Sequence, residues 1–80
     1  MLTMRDDLAV IRNRFQLTPA EAKLALRLGA GDTLRASART LGVSYETART
    51  TLKSVFHKTN TCRQVALVIV VINALLEKQP

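Results

Sequence analysis

Apolar residues recur along the chain at spacings of three, four and seven residues, which is the period of one face of an α-helix. In the first segment Leu8, Ile11 and Phe15 form one such stripe. No stretch alternates apolar and polar residues as a half-buried strand does. Aromatic residues, which favour strands, make up only 4% of the chain. The pattern therefore predicts an all-α fold.

A compact helix-start signal follows at residues 17–21, which read Leu-Thr-Pro-Ala-Glu. Thr18 is the expected N-cap, and Pro19 suits the first helical position because its missing N–H needs no partner there. Glu21 lies three residues after the cap, where its side chain completes a capping box. Two glycines within residues 29–31 predict the end of this helix.

The segment of residues 33–58 predicts a short helix, a glycine turn and a longer basic helix. Asp32 or Thr33 is expected to cap the first of these two helices. Gly42 should end it in a left-handed conformation, and Ser44 should cap the second. A helix, a turn and a capped basic helix are what a protein needs to read the major groove of DNA.

Arg49 and Lys53 lie four residues apart, so they share one face of this basic helix, with Thr50 beside them. Such a pair of charges is often only a solvated helix face, and this alternative applies here. Arg49 is the better candidate for a guanine contact, because its planar fork can bond O6 and N7 together.

The last predicted helix runs from Cys62 to about Glu77, with Thr61 as its N-cap and Asn60 ending the helix before it. It is apolar on nearly every side, although a surface helix should carry a polar outer face. An exposed apolar face usually marks an interface, and two-fold pairing is the commonest arrangement. A sensor domain docked on this face is the alternative. The expected homodimer contact includes Val65, Ile69 and Ile72.

Charge and composition narrow the class of partner. The formal net charge is +6 and the sequence pI is about 10.5, which favours a polyanion. A single cysteine excludes an intrachain disulfide and fits a reducing compartment. No signal peptide is recognisable, and the longest apolar run is well short of the ~20 residues that span a bilayer. These features predict a cytoplasmic protein without a membrane span.

The sequence contains no residue pattern that is typical of a catalytic or metal-binding site. There is no grouping of nucleophile, base and orienting residue, no metal-ligand spacing and no glycine-rich phosphate loop. We therefore expect no enzyme activity, no metal and no cofactor.

Several short motifs follow one another in a fixed order. They read Leu17-Thr18-Pro19-x-Glu21, then Gly31, Ala38-x-x-Leu41-Gly42-Val43-Ser44-x-x-Thr47-x-Arg49, Leu52-Lys53-x-Val55-Phe56-x-Lys58-Thr59, and Arg63-Gln64. This order resembles the LuxR/FixJ/GerE-type DNA-binding domain over roughly residues 17–71. It is similar in particular to a subgroup with a Lys-Thr-Gly-Thr-x-Arg-Gln segment, which here covers residues 58–64.

The resemblance implies a four-helix helix-turn-helix domain at residues 17–77, with an added N-terminal or linker helix at 1–16 and a tail at 78–80. Its members are transcriptional regulators that bind double-stranded DNA, dimerise through the last helix and mostly carry a sensor or receiver domain. The helix at about 45–58 would lie in the major groove. Carried over by position, the base contacts would be Arg49, Thr50 and Lys53. The phosphate contacts would be Thr33, Arg35, Ser44, Thr47, Thr51 and Lys58.

The chain departs from the family pattern at a few positions. Asn60 replaces a glycine, and Ala48 stands where a larger valine is usual. Ala66 and Ile69 occupy positions that are commonly Glu and Arg in the subgroup, so the last helix has lost charge. The rival interpretation is a helical protein-interaction module whose functional surface is this apolar helix.

Overall fold

The computed structural model describes the backbone of residues 4–77 and the side chains of residues 7–77. This part of the chain forms five α-helices and contains no strand, which confirms the all-α prediction. The start of the predicted N-terminal helix and the tail at 78–80 lie outside the described residues. The helices are α1 (Met4–Phe15), α2 (Pro19–Gly29), α3 (Leu34–Leu41), α4 (Tyr45–Thr59) and α5 (Gln64–Glu77).

Side-chain caps set the starts of α2, α3 and α4. The predicted capping box of α2 is confirmed: the Thr18 hydroxyl accepts a hydrogen bond from the Glu21 amide at 3.2 Å, and the Glu21 carboxylate accepts one from the Thr18 amide at 2.8 Å. Thr33 and Ser44 accept hydrogen bonds from the amides three residues further on, in α3 and α4. These bonds satisfy backbone donors that the first turn of a helix leaves without partners.

The predicted turn between α3 and α4 is also confirmed, and it occupies three residues, 42–44. Gly42 has a φ of 73°, in the left-handed region that favours glycine. The Val43 amide then donates to the Ala38 carbonyl at 3.0 Å, which closes the end of α3. Buried Ser37 and Ala38 keep the packing surface of α3 small, so that neighbouring helices can approach it closely.

The start of α5 differs from the prediction. The helix begins at Gln64 instead of Cys62, and Thr61 does not cap it. Asn60 takes the predicted left-handed conformation at the end of α4, with φ at 57°. The Thr61 amide is then used to close α4, because it donates to the Phe56 carbonyl at 2.9 Å. The Thr61 hydroxyl also lies 2.9 Å from the Thr59 hydroxyl, so it belongs to the end of α4.

Helix α2 lies at the centre of the fold and contacts the other four helices. Gly29 at its end faces α5: a Cβ atom there would lie 3.0 Å from Val71 Cγ1, so glycine allows the two helices to approach. Ile11 is fully buried and Leu8 and Phe15 pack beside it, which confirms the stripe predicted for α1. The largest fully buried apolar side chains are Ile11, Leu24, Leu28, Val55, Leu67 and Val71.

Candidate nucleic-acid interface

The outer face of α4 carries the three residues predicted to read bases. Arg49, Thr50 and Lys53 are all exposed, and the spacing of three and four residues places them on one side of the helix. The opposite side is buried against the core through Ala48, Leu52 and Val55. The core contacts therefore fix which side of α4 faces outward. We call this surface, Glu46, Arg49, Thr50, Lys53 and His57, the α4 outer face.

Arg49 has a partner on the same face. Its Nη1 atom lies 3.4 Å from the Glu46 carboxylate, one helical turn earlier. Both side chains are at least half exposed, so this pair is solvated and is worth at most about 1 kcal/mol. The guanidinium therefore lies beside Glu46 on the outer face, but this weak pair does not fix its position.

Hydroxyl groups line the start of α4. The Ser44 hydroxyl accepts a hydrogen bond from the Thr47 amide at 3.0 Å and donates to the Thr47 hydroxyl at 2.9 Å. The Thr51 hydroxyl donates to the Thr47 carbonyl at 2.9 Å. Of these three hydroxyls, only that of Thr47 keeps its proton for an outside acceptor, and the other two can still accept. The phosphate contacts predicted for these residues stay a prediction.

Arg35 is positioned by an aromatic ring from the next helix. Its guanidinium carbon lies 4.4 Å from the ring centroid of Tyr45, the first residue of α4. At this distance the cation is attracted to the ring face, and the planar group can stack on it. Thr33 caps α3, the helix that carries Arg35, with its side-chain oxygen. The structure thus brings together Arg35 and the start of α4, a contact that the sequence did not suggest.

Glu21 links α2 to the last turns of α4. Its carboxylate is only 9% exposed and accepts hydrogen bonds from the Lys58 ammonium at 2.8 Å and from the Ser54 hydroxyl. Burial by itself would raise the pKa of Glu21. The hydrogen bonds from Lys58, Ser54 and the Thr18 amide outweigh burial and lower this pKa to about 2. The charged form of Glu21 is therefore part of what holds α4 on α2.

This contact changes the interpretation of Lys58. The sequence suggests a phosphate ligand, and the structure places the Lys58 ammonium on the Glu21 carboxylate. An ammonium has three donors, so a phosphate contact is compatible with this pairing and stays a prediction. A Lys58→Ala variant, however, would also leave a buried carboxylate without its cation. It is therefore a poor probe of DNA binding alone.

Helix α5 exposes an apolar stripe. Val65 is 72% exposed and Ile69 is 53% exposed, and Ile72 and Leu76 continue the same face. We call these four residues the α5 stripe. The buried side of α5 consists of Leu67, Val71 and Ala74. The three residues predicted for a dimer contact therefore lie together on the outer surface, and Leu76, which was not among the predicted residues, extends their row.

Two further features of the described residues bear on other functions. No group of three or more His, Cys, Asp or Glu side chains in this part of the chain could hold a metal ion. No single described helix is long and apolar enough to cross a membrane. Taken together, α4 and α5 have the length and the apolar composition of a membrane span, but they meet at a 59° bend.

Comparisons with protein-family models, with curated proteins and with solved structures found no match to this chain.

Proposed function

We propose that this chain binds double-stranded DNA in a sequence-specific manner as part of a cytoplasmic transcriptional regulator. In this proposal α3 and α4 act as a helix-turn-helix, and α4 lies in the major groove. The observation that carries it is the α4 outer face. This face presents Arg49, Thr50 and Lys53 to solvent, while the core holds the opposite side of the helix.

Charge and shape support this proposal together. A net charge of +6 attracts a polyanion whatever its sequence. A capped helix that begins after a three-residue turn can place its first turns against base edges. Thr47 lies in the first turn of α4, and Arg35 of α3 is held against Tyr45 at the start of α4, so both can contact the phosphates beside the groove. These phosphate contacts would position the helix, and the outer face would supply the specificity.

The α5 stripe extends the proposal to a homodimer. Two copies that pair through this stripe would present two α4 helices to two half-sites on the DNA. A sensor or receiver domain in a longer protein would then control this dimer. The rival function is a protein-interaction module that uses the α5 stripe alone, and the exposed apolar surface is the observation in its favour.

Arg49→Ala tests the assignment of the α4 outer face. We expect the variant to lose about 1–3 kcal/mol of binding free energy for a selected duplex and to relax specificity at one base pair. The loss follows because the arginine fork bonds two acceptors of one guanine. At one fixed salt concentration, competition between the selected duplex and a scrambled duplex measures the loss of specific affinity. Competition against duplexes changed at single base pairs measures the specificity at each position.

Arg12→Ala is the matched control, because Arg12 is an exposed arginine on α1 and its loss changes the net charge equally. It should weaken binding to both duplexes alike or leave both unchanged. If Arg49→Ala preferred the selected duplex over the scrambled one as strongly as wild type does, the assignment of Arg49 would be contradicted.

A further inference from the structure

Glu46 is the only acidic residue of α4, and it lies on the α4 outer face. Its side chain is 80% exposed, and its carboxylate is 3.4 Å from Arg49 Nη1. DNA phosphates repel a carboxylate in this position. Affinity for DNA in general would therefore be higher without it.

In the major groove a carboxylate can accept a hydrogen bond only from an amino group, either N4 of cytosine or N6 of adenine. Adenine also presents its acceptor N7 beside the amino group, whereas cytosine presents no acceptor there, so cytosine is the more favourable partner. Side chains three residues apart on a helix are separated by about 5–6 Å. Base pairs are stacked about 3.4 Å apart along the helix axis. Glu46 and Arg49 can thus reach neighbouring base pairs.

We propose that Glu46 is a specificity-determining residue, which accepts a hydrogen bond from the N4 amino group of a cytosine in the base pair next to the one that Arg49 reads. This inference rests on the proposed function of the α4 outer face. Before DNA binds, Glu46 and Arg49 neutralise each other through their solvated pair. On the correct duplex each exchanges this weak pair for a base. On other duplexes the unpaired carboxylate opposes binding, which increases discrimination.

A purely structural role for Glu46 has a different signature. A carboxylate in the first turn of a helix also stabilises that helix through its interaction with the helix dipole. Loss of this effect would lower the thermal midpoint of unfolding, but it would leave the base preference at every position unchanged. Base preference therefore separates the two roles.

The test is selection of bound duplexes from a random pool by wild type, Glu46→Gln, Glu46→Ala and Arg49→Ala. We expect wild type to prefer cytosine at a position adjacent to the one that depends on Arg49. Both Glu46 variants should reduce that preference at least about fivefold. They should also bind scrambled duplexes more tightly, because a negative charge has been removed from the groove.

Glu77→Gln is the matched control, since Glu77 is also a half-exposed carboxylate paired with an arginine, Arg14. It should keep the cytosine preference. A wild-type base preference that persists unchanged in Glu46→Ala would overturn this inference and leave the proposed function intact. A wild type without preference at any position would overturn both.

Discussion

Glu21→Gln is expected to lower the free energy of unfolding by about 3 kcal/mol at neutral pH, as the shift in pKa from 4.5 to about 2 implies. Burial opposes the charged carboxylate, but Lys58, Ser54 and the Thr18 amide stabilise it more strongly. Glutamine keeps the size of the side chain and removes the charge that Lys58 neutralises. For a small domain, such a loss is a large part of the total stability.

The same contact predicts a pH dependence. Because the pKa of Glu21 is lower in the folded state than in the unfolded state, its contribution is fully present above pH 4.5. This contribution decreases as the pH falls from 4.5 to about 2 and is absent below that. Wild type should therefore lose stability over this range, and Glu21→Gln should lack this component of the loss.

Urea denaturation at pH 7 and at several pH values between 4.5 and 2.5 measures this difference. Glu77→Gln is the control, since it removes an exposed carboxylate and should change the free energy of unfolding by less than about 1 kcal/mol. If Glu21→Gln matched wild type at pH 7 and their pH curves stayed parallel, the stabilising role of the charged carboxylate would be wrong.

Ile69→Glu is expected to weaken binding to a duplex with two half-sites by at least about 100-fold, because coupling two binding modules typically adds 10²–10⁴-fold in affinity. Ile69 lies within the α5 stripe, so a carboxylate there would have to lose its water in a dimer contact. The same position is 53% exposed in the single chain, so the substitution should leave the helical content of the monomer unchanged.

Sedimentation of the protein with a two-site duplex gives the stoichiometry, and titration gives the affinity. The duplex should bind two copies of wild type cooperatively, and it should bind two copies of Ile69→Glu in independent steps. Ala9→Glu, an exposed apolar-to-acidic change on α1, controls for the added negative charge. An Ile69→Glu variant with wild-type affinity and cooperativity would instead assign the α5 stripe to a different partner.

Local chemistry explains why much of the fold could be predicted from sequence. The caps at Thr18 and Ser44, the left-handed residues Gly42 and Asn60, and the stripe of α1 all depend on residues within a few positions of one another. The predicted start of α5 was wrong, and the reason is also local. Thr61 could serve either of two adjacent helix ends, and only the closed end of α4 decides between them.

Contacts between distant residues could not be predicted in this way. Glu21 and Lys58 are 37 positions apart in the sequence, and no periodicity links them. The capping box already accounts for a glutamate at position 21. Its second role, as the partner of Lys58 on α4, therefore has no separate signal in the sequence. Glu46 is different: its spacing of three residues from Arg49 was visible, but only the exposure of both side chains places them on one outer face.

Sequence-specific DNA binding is tested most directly by selection of bound duplexes from a random pool, at two salt concentrations, with wild type and Arg49→Ala in parallel. We predict that wild type enriches one motif built from two inverted half-sites, and that Arg49→Ala loses preference at one position of each half-site. We also predict weaker binding at higher salt. Salt-sensitive binding without an enriched motif, or no binding to duplex DNA at all, would contradict sequence-specific DNA binding by this chain.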